Sequence, residues 1–196
     1  NIKVYRKPKV AILATGDELV EINQKLKPGK IRDSNTYSLY GQVAASGAVP
    51  LILGIAKDSK YGLNAKIKEG LKTADILLVS GGISVGDYDF VKDVLKGLGT
   101  EMKFWKVAMK PGKPMAFGMV GKIPVFGLPG NPVSSMISFE LFVKPAILKM
   151  KGANDFSAKN VDAVLEEDIT KKKGLRYFLR AITRWDDGIY LTRTTG

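Results

Sequence analysis

The run Ile76-Leu77-Leu78-Val79-Ser80 is apolar almost throughout and stops abruptly at Gly81-Gly82. Successive side chains of a strand point to opposite faces, so an unbroken apolar run describes a strand covered on both sides. Similar β-branched runs recur at 10–15, 49–56 and 123–126. Amphipathic helical patterns lie between them. Asp33 or Ser34 can cap a helix with Tyr37, Tyr40, Val43 and Ala44 on one face, which Gly47 ends. Residues 60–72 follow, with Leu63, Ile67 and Leu71 spaced four apart, and 90–98 predict a short helix stopped by Gly97 and Gly99. The longest helix is expected over 133–149, with a kink at Pro145. Segments 102–109 and 115–119 read as extended, separated by a turn at Pro111-Gly112. This βαβα alternation predicts an α/β fold, a largely parallel sheet with helices on both faces.

The pattern changes after Gly152. Short alternating segments at 161–165, 178–183 and 189–194, with Asp187-Gly188 as a hairpin turn, read as the start of a small β domain. The expected organisation is a linker at 1–7, an α/β domain at 8–152 and an incomplete β domain at 153–196. The first residue is Asn rather than Met, which suggests a chain cut from a longer polypeptide.

Composition narrows the chemistry. The 196 residues contain no Cys and no His, which excludes disulfides, thiolate nucleophiles, Cys/His zinc sites and histidine bases. Carboxylates, lysines, hydroxyls, backbone and a hard metal remain. A lack of Cys fits the cytoplasm. No run approaches the ~18 apolar residues of a membrane span, and the basic start lacks a signal-peptide core. The net charge of +12 raises the question of nucleic acid. Its distribution argues against that reading: Lys60, Lys66, Lys68 and Lys72 share the polar side of one helix, and Lys171-Lys172-Lys173 sits in a turn. No aromatic-interleaved basic ribbon is present.

Ligands of open parallel sheets bind beyond the carboxyl ends of the strands. The residues leaving these strands are unusually polar. They are Thr15-Gly16-Asp17-Glu18, Lys57-Asp58-Ser59, the loop Gly81-Gly82-Ile83-Ser84-Val85-Gly86-Asp87-Tyr88-Asp89, Lys110-Pro111-Gly112-Lys113-Pro114, and Pro129-Gly130-Asn131-Pro132-Val133-Ser134. Glycines let backbone N–H groups approach an anion, and nearby carboxylates could hold a divalent cation against it. Each cluster also has a purely structural reading. Asp58 and Asp89 precede helices they could cap, Asp17 and Glu18 could complement a helix dipole, and the lysines could be solvated. Asn131-Pro132 could be only a turn, although Pro132 also suits the entry to a helix whose free N–H groups would face an anion.

Taken in order and spacing, Thr15-Gly16-Asp17-Glu18-Leu19, the Gly81–Gly86 loop ending at Asp89, Lys110-Pro111-Gly112-Lys113-Pro114 and Gly127-Leu128-Pro129-Gly130-Asn131-Pro132-Val133-Ser134 resemble the molybdopterin molybdotransferase (MoeA) family. Phe104-Trp105-Lys106 also fits, and the likeness runs from about Pro8 to Gly152. The resemblance implies a MogA-like three-layer α/β/α sandwich followed by the beginning of a C-terminal β-barrel domain. It implies insertion of molybdate into adenylylated molybdopterin with release of AMP, assisted by Mg²⁺. Glu18, Asp58, Asp89, Lys110 and Lys113 would be catalytic, with Asp58 and Asp89 near the metal. Thr15, Gly16, Gly81, Gly82, Ser84, Gly86, Pro129, Gly130, Asn131, Pro132 and Ser134 would hold phosphate and pterin. The family also implies a cytoplasmic homodimer in contact with molybdopterin adenylyltransferase. That adenylyltransferase, which shares the sandwich, and a gephyrin-like binding module are the alternatives. The former usually has a threonine in its glycine loop, and the latter would lose the carboxylates.

Overall fold

The computed structural model describes residues 2–57, 59–82, 90–156, 158 and 160–195. In chain order the elements are β1 (Lys9–Thr15), β2 (Leu19–Val20), β3 (Ile31–Arg32), α1 (Asn35–Ala45), β4 (Val49–Ala56), α2 (Lys60–Thr73), β5 (Ile76–Ser80) and α3 (Phe90–Gly97). Next come β6 (Glu101–Phe104), β7 (Met109–Lys110), β8 (Ala116–Val120), β9 (Ile123–Leu128), α4 (Pro132–Ser138), a π-helical turn (Phe139–Val143) and α5 (Lys144–Met150). The last are β10 (Val164–Leu165), β11 (Arg176–Tyr177), β12 (Ala181–Asp186) and β13 (Ile189–Thr194).

The central sheet has the order β4-β1-β5-β9-β8-β6. Its first four strands are parallel, and β8 runs antiparallel to both β9 and β6. Alternate residues of each buried strand enter different cores. Ala11, Leu13, Leu77, Val79 and Val125 meet Leu63 and Ile67 of α2 and Val91 and Leu95 of α3. Val10, Ile12, Ile76, Leu78, Phe126 and Leu128 meet Leu39 and Val43 of α1 and Phe139, Val143 and Ile147 of the last helix. The expected three-layer α/β/α sandwich is therefore present, built on the period-2 pattern of its strands. Among the described residues, no helix is long and apolar enough to cross a membrane.

Several local expectations change. The buried stripe of α1 is Thr36, Leu39 and Val43, while Tyr37 and Tyr40 face solvent. Positions 36, 39 and 43 lie three and four apart, so they share the face that meets the sheet. The strand expected at 102–109 ends at Phe104. Beyond it the Val107 N–H donates to the Lys113 carbonyl, closing a loop away from the sheet. Around Pro145 the long helix widens into a π-turn, in which the Lys144 N–H bonds the Phe139 carbonyl. Proline has no N–H, and its ring crowds the carbonyl four residues back, so the helix relaxes by one residue.

The small β region forms a three-stranded sheet ordered β10-β13-β12. Asp187 and Gly188 turn the β12–β13 hairpin, as expected, and both have positive φ (39° and 93°). The segment expected at 178–183 starts later, at Ala181, because Phe178 donates its N–H to the Lys110 carbonyl instead. The segment expected at 161–165 is regular only at Val164–Leu165.

Candidate functional site

Parallel strands β1, β5 and β9 end side by side, so the loops that leave them meet. Gly81 has φ +87°, and a Cβ there would collide with the Thr15 carbonyl oxygen. Its N–H donates to the Leu128 carbonyl (3.1 Å), and a Cβ at Gly130 would stand 3.7 Å from the Gly81 Cα. Gly82 is equally confined: its φ is +63°, and a Cβ would press on Thr15 and Val91 at 2.8 Å. Side chains are thus excluded at Gly81 and Gly82, whereas a Cβ at Gly130 would make only ordinary contact, and main-chain groups of the loop after β5 are left to face a ligand.

The excursion between β1 and α1 folds back over this point. β2 and β3 pair in parallel, and the Ile31 N–H donates to the Glu18 carbonyl (2.9 Å). Glu18 is exposed, with its carboxylate packed against Gly16. Asp33, almost fully buried, accepts from the Thr36 N–H and hydroxyl and caps α1. Asn35 reaches further: its Nδ2 donates to Ser80 Oγ (2.8 Å) and to the Gly130 carbonyl (2.9 Å). One amide therefore ties α1 to the end of β5 and to the loop after β9. A cavity of about 120 Å³ opens here, lined by Thr15, Glu18, Asn35, Ser80, Gly81 and Gly130, among others.

Lys110 lies elsewhere on the same edge. β7 pairs with β11, matching Tyr177 to Lys110. A second cavity of about 370 Å³ is lined there by Lys110, Pro111, Val133, Lys171, Lys172 and Arg180 with their neighbours. Glu18 and Lys110 thus line two cavities rather than one cleft, and the adjacent residues Pro132 and Val133 line one each. Four cations around one cavity favour an anionic guest. Beneath the lysine loop Gly112 has φ +100°, with Met109 and Ser138 filling the space of a Cβ. Lys113 is exposed, and its carbonyl accepts from Val107 and Met115.

The Asn131 side chain caps α4, its oxygen accepting from the Ser134 N–H (3.1 Å) and hydroxyl (3.3 Å). Asn131-Pro132 is therefore more than a turn, since Pro132 enters a helix with Asn131 as its cap. At the start of α2 the cap is the Ser59 hydroxyl, which accepts from the Gly62 N–H (3.2 Å). Asp58, Ser84, Gly86, Asp87 and Asp89 lie outside the described residues. Among the described residues, no group of three or more carboxylates gathers as a metal cage. Sequence reasoning missed Asn35, because Asp33-Ser34 drew attention as a cap. The signal available was a third polar residue at the first helical position, opposite two glycine loops.

A family model described as "Probable molybdopterin binding domain" matches residues 11–149. A molybdopterin molybdenumtransferase of Nostoc is 46% identical over 154 residues, covering 77% of this chain and 35% of that protein. The Bacillus subtilis protein of the same name is 39% identical over 196 residues, covering 100% of this chain and 46% of its own length. The chain thus spans less than half the length of these relatives. The solved structure of a molybdopterin biosynthesis MoeA protein from Pyrococcus horikoshii superposes with a TM-score of 0.81 at 33% identity, covering 97% of this chain and 46% of that one.

Proposed function

Since the chain belongs to the family of probable molybdopterin binding domains, we propose that it serves molybdenum cofactor biosynthesis as the molybdopterin-holding part of a molybdopterin molybdenumtransferase. The observation that supports this reading best is the pair of adjoining cavities at the carboxyl edge of the parallel strands, one lined by glycine loops and one by cations. In this reading the reaction inserts molybdate into adenylylated molybdopterin and releases AMP. Main-chain groups of Gly82 and Gly130 approach the pterin and its phosphate, with the Gly81 N–H holding the two loops together through the Leu128 carbonyl. Lys110, with Arg180 lining the same cavity, offsets the charge of the phosphoanhydride or of molybdate. Lys113 contributes to the same field from the neighbouring turn.

Oxygen atoms are the donors this edge offers, and the chain has neither His nor Cys. That donor set fits Mg²⁺, which prefers oxygen ligands and a bound phosphate. Asp58 and Asp89 are the residues we assign to hold it, and it would supply charge neutralisation at the phosphates. Glu18, on the rim of the smaller cavity, is assigned to the reacting group. The same reading makes the full-length protein a cytoplasmic homodimer in contact with molybdopterin adenylyltransferase.

The test is calorimetric titration of the chain with adenylylated molybdopterin. Lys110→Ala should weaken binding about tenfold to a hundredfold, the loss expected for a charge-assisted hydrogen bond to phosphate. Unchanged affinity in the variant would remove Lys110 and its cavity from the site.

A further inference from the structure

We propose that Asn35 sets the specificity of the smaller cavity, its Oδ1 accepting a hydrogen bond from the amino-bearing edge of a bound pterin. The inference rests on the molybdopterin reading above and assigns a role to a residue that reading leaves unused.

The amide's orientation follows from its partners. Nδ2 donates to the Gly130 carbonyl at 2.9 Å and to Ser80 Oγ at 2.8 Å. A backbone carbonyl can only accept, so the nitrogen must face it and the oxygen must turn away. Oδ1 is buried and has no hydrogen-bond partner among the described residues. The whole residue is only 9% exposed. Buried amide oxygens are almost always paired, because an unpaired one forfeits its hydration with nothing in return. An Asn whose nitrogen is held twice and whose oxygen is held by nothing among the described residues is therefore waiting for a donor.

The surroundings say what kind of donor. Asn35 and Glu18 line the same cavity, and both offer acceptors. The Asp33 carboxylate, also on the wall, is already occupied by Thr36. A volume of about 120 Å³ admits a ring edge rather than a whole nucleotide conjugate. A pterin presents a matching edge, with the ring N3–H and the 2-amino group side by side. Lumazine has the same bicyclic ring but carries a carbonyl in place of that amino group. Lumazine keeps N3–H, which can still face Glu18, but its 2-carbonyl would point at Asn35 Oδ1 where the pterin 2-amino group donates, leaving two lone pairs opposed and Oδ1 unpaired.

The experiment titrates the chain with molybdopterin and then displaces it with pterin or with lumazine. Pterin should compete about tenfold better than lumazine, the preference expected where a buried polar group is left unmatched. Asn35→Leu, which removes the acceptor, should bring the two competitors together. Circular dichroism checks that the variant is folded, and the wild-type comparison stands even if it is not. Equal competition by the two ring systems against the wild-type chain overturns the assignment of Oδ1 and leaves the molybdopterin reading intact. Failure of the wild-type chain to bind molybdopterin overturns both.

Discussion

All five residues of β5 are buried, whereas all six residues of β12 are exposed. Both strands pair with their neighbours in regular register. The difference lies in what surrounds them. β5 has a parallel neighbour on each side and helices above and below. β12 is an edge strand paired with β13, and its Ile182 and Trp185 remain 56% and 63% exposed. What holds the small sheet is local. Trp185 and Tyr190 are directly opposed with ring centroids 4.8 Å apart, and the Thr183 and Thr192 hydroxyls lie 2.9 Å apart. Turn chemistry and cross-strand pairs suffice to shape a hairpin, but burial needs a second layer.

The sharpest way to break this comparison is to truncate one side chain in each region. Leu77 is fully buried in mid-β5, so Leu77→Ala should cost about 2–5 kcal/mol through lost transfer energy and a residual cavity. Trp185→Ala removes a larger side chain, yet it should cost only about 0.2–1 kcal/mol, the worth of a cross-strand pair. Urea unfolding followed by far-UV circular dichroism measures both. Comparable losses would mean that the small sheet is as much a part of the core as β5.

Two glycines sharpen the contrast at the level of backbone. Gly81 and Gly188 have similar φ, +87° and +93°. A Cβ at Gly81 meets the Thr15 backbone, whereas at Gly188 nothing lies within 4 Å. Gly188→Ala should therefore carry only the conformational cost, about 1 kcal/mol. Gly81→Ala adds a collision between main chains and should exceed it by about 1–2 kcal/mol or more. Hydrogen exchange locates each effect: β12 and β13 should lose protection in the first variant, and β1, β5 and β9 in the second. A Gly188→Ala variant that loosens the central sheet would show the two regions to be coupled.

How legible each part was follows from the same physics. The sandwich was readable because unbroken apolar runs and four-apart leucines report layers directly, and β5 is where that pattern is cleanest. The Asp187-Gly188 turn was readable because few dipeptides accept two positive φ values. The orientation of α1 was misread because Tyr37 and Tyr40 are apolar enough to suggest a core, although Thr36 and Leu39 occupy it. The end of β6 at Phe104 depends on a hydrogen bond between Val107 and Lys113 that no periodicity announces. At the candidate site, glycines marked the close approach of Gly81 and Gly82 to Thr15, since only glycine permits it. The link through Asn35 spans 45 residues to Ser80 and 95 to Gly130, so it belongs to tertiary structure alone. The separation of Glu18 and Lys110 into two cavities depends on the pairing of β7 with β11, a contact from the far end of the chain.

The smallest effect concerns how the chain is fastened where it first meets the sandwich. Asp75, between α2 and β5, accepts two hydrogen bonds from the Arg6 guanidinium and one from the Lys9 N–H (2.8 Å), where β1 begins. Hydrogen bonding from Arg6 holds the Asp75 carboxyl below the usual carboxylate range, with burial opposing and the Lys9 N–H assisting. A carboxylate with a depressed folded-state pKa stabilises the fold above its unfolded value, near 3.9 for Asp, and loses that contribution as pH falls through the folded one. Asp75→Asn should therefore lower Tm slightly at neutral pH, and the gap to wild type should close on acidification below about pH 4. Arg6 is largely exposed, and a pair of this kind contributes little, which places the change below that of either glycine variant. Melting curves of both proteins across that range decide the matter. A gap that persists at low pH would mean that Asp75 acts by shape and neutral hydrogen bonding, and that the segment before β1 is held by the Val49-to-Pro8 backbone bond and by Tyr5 against Gly152 rather than by charge.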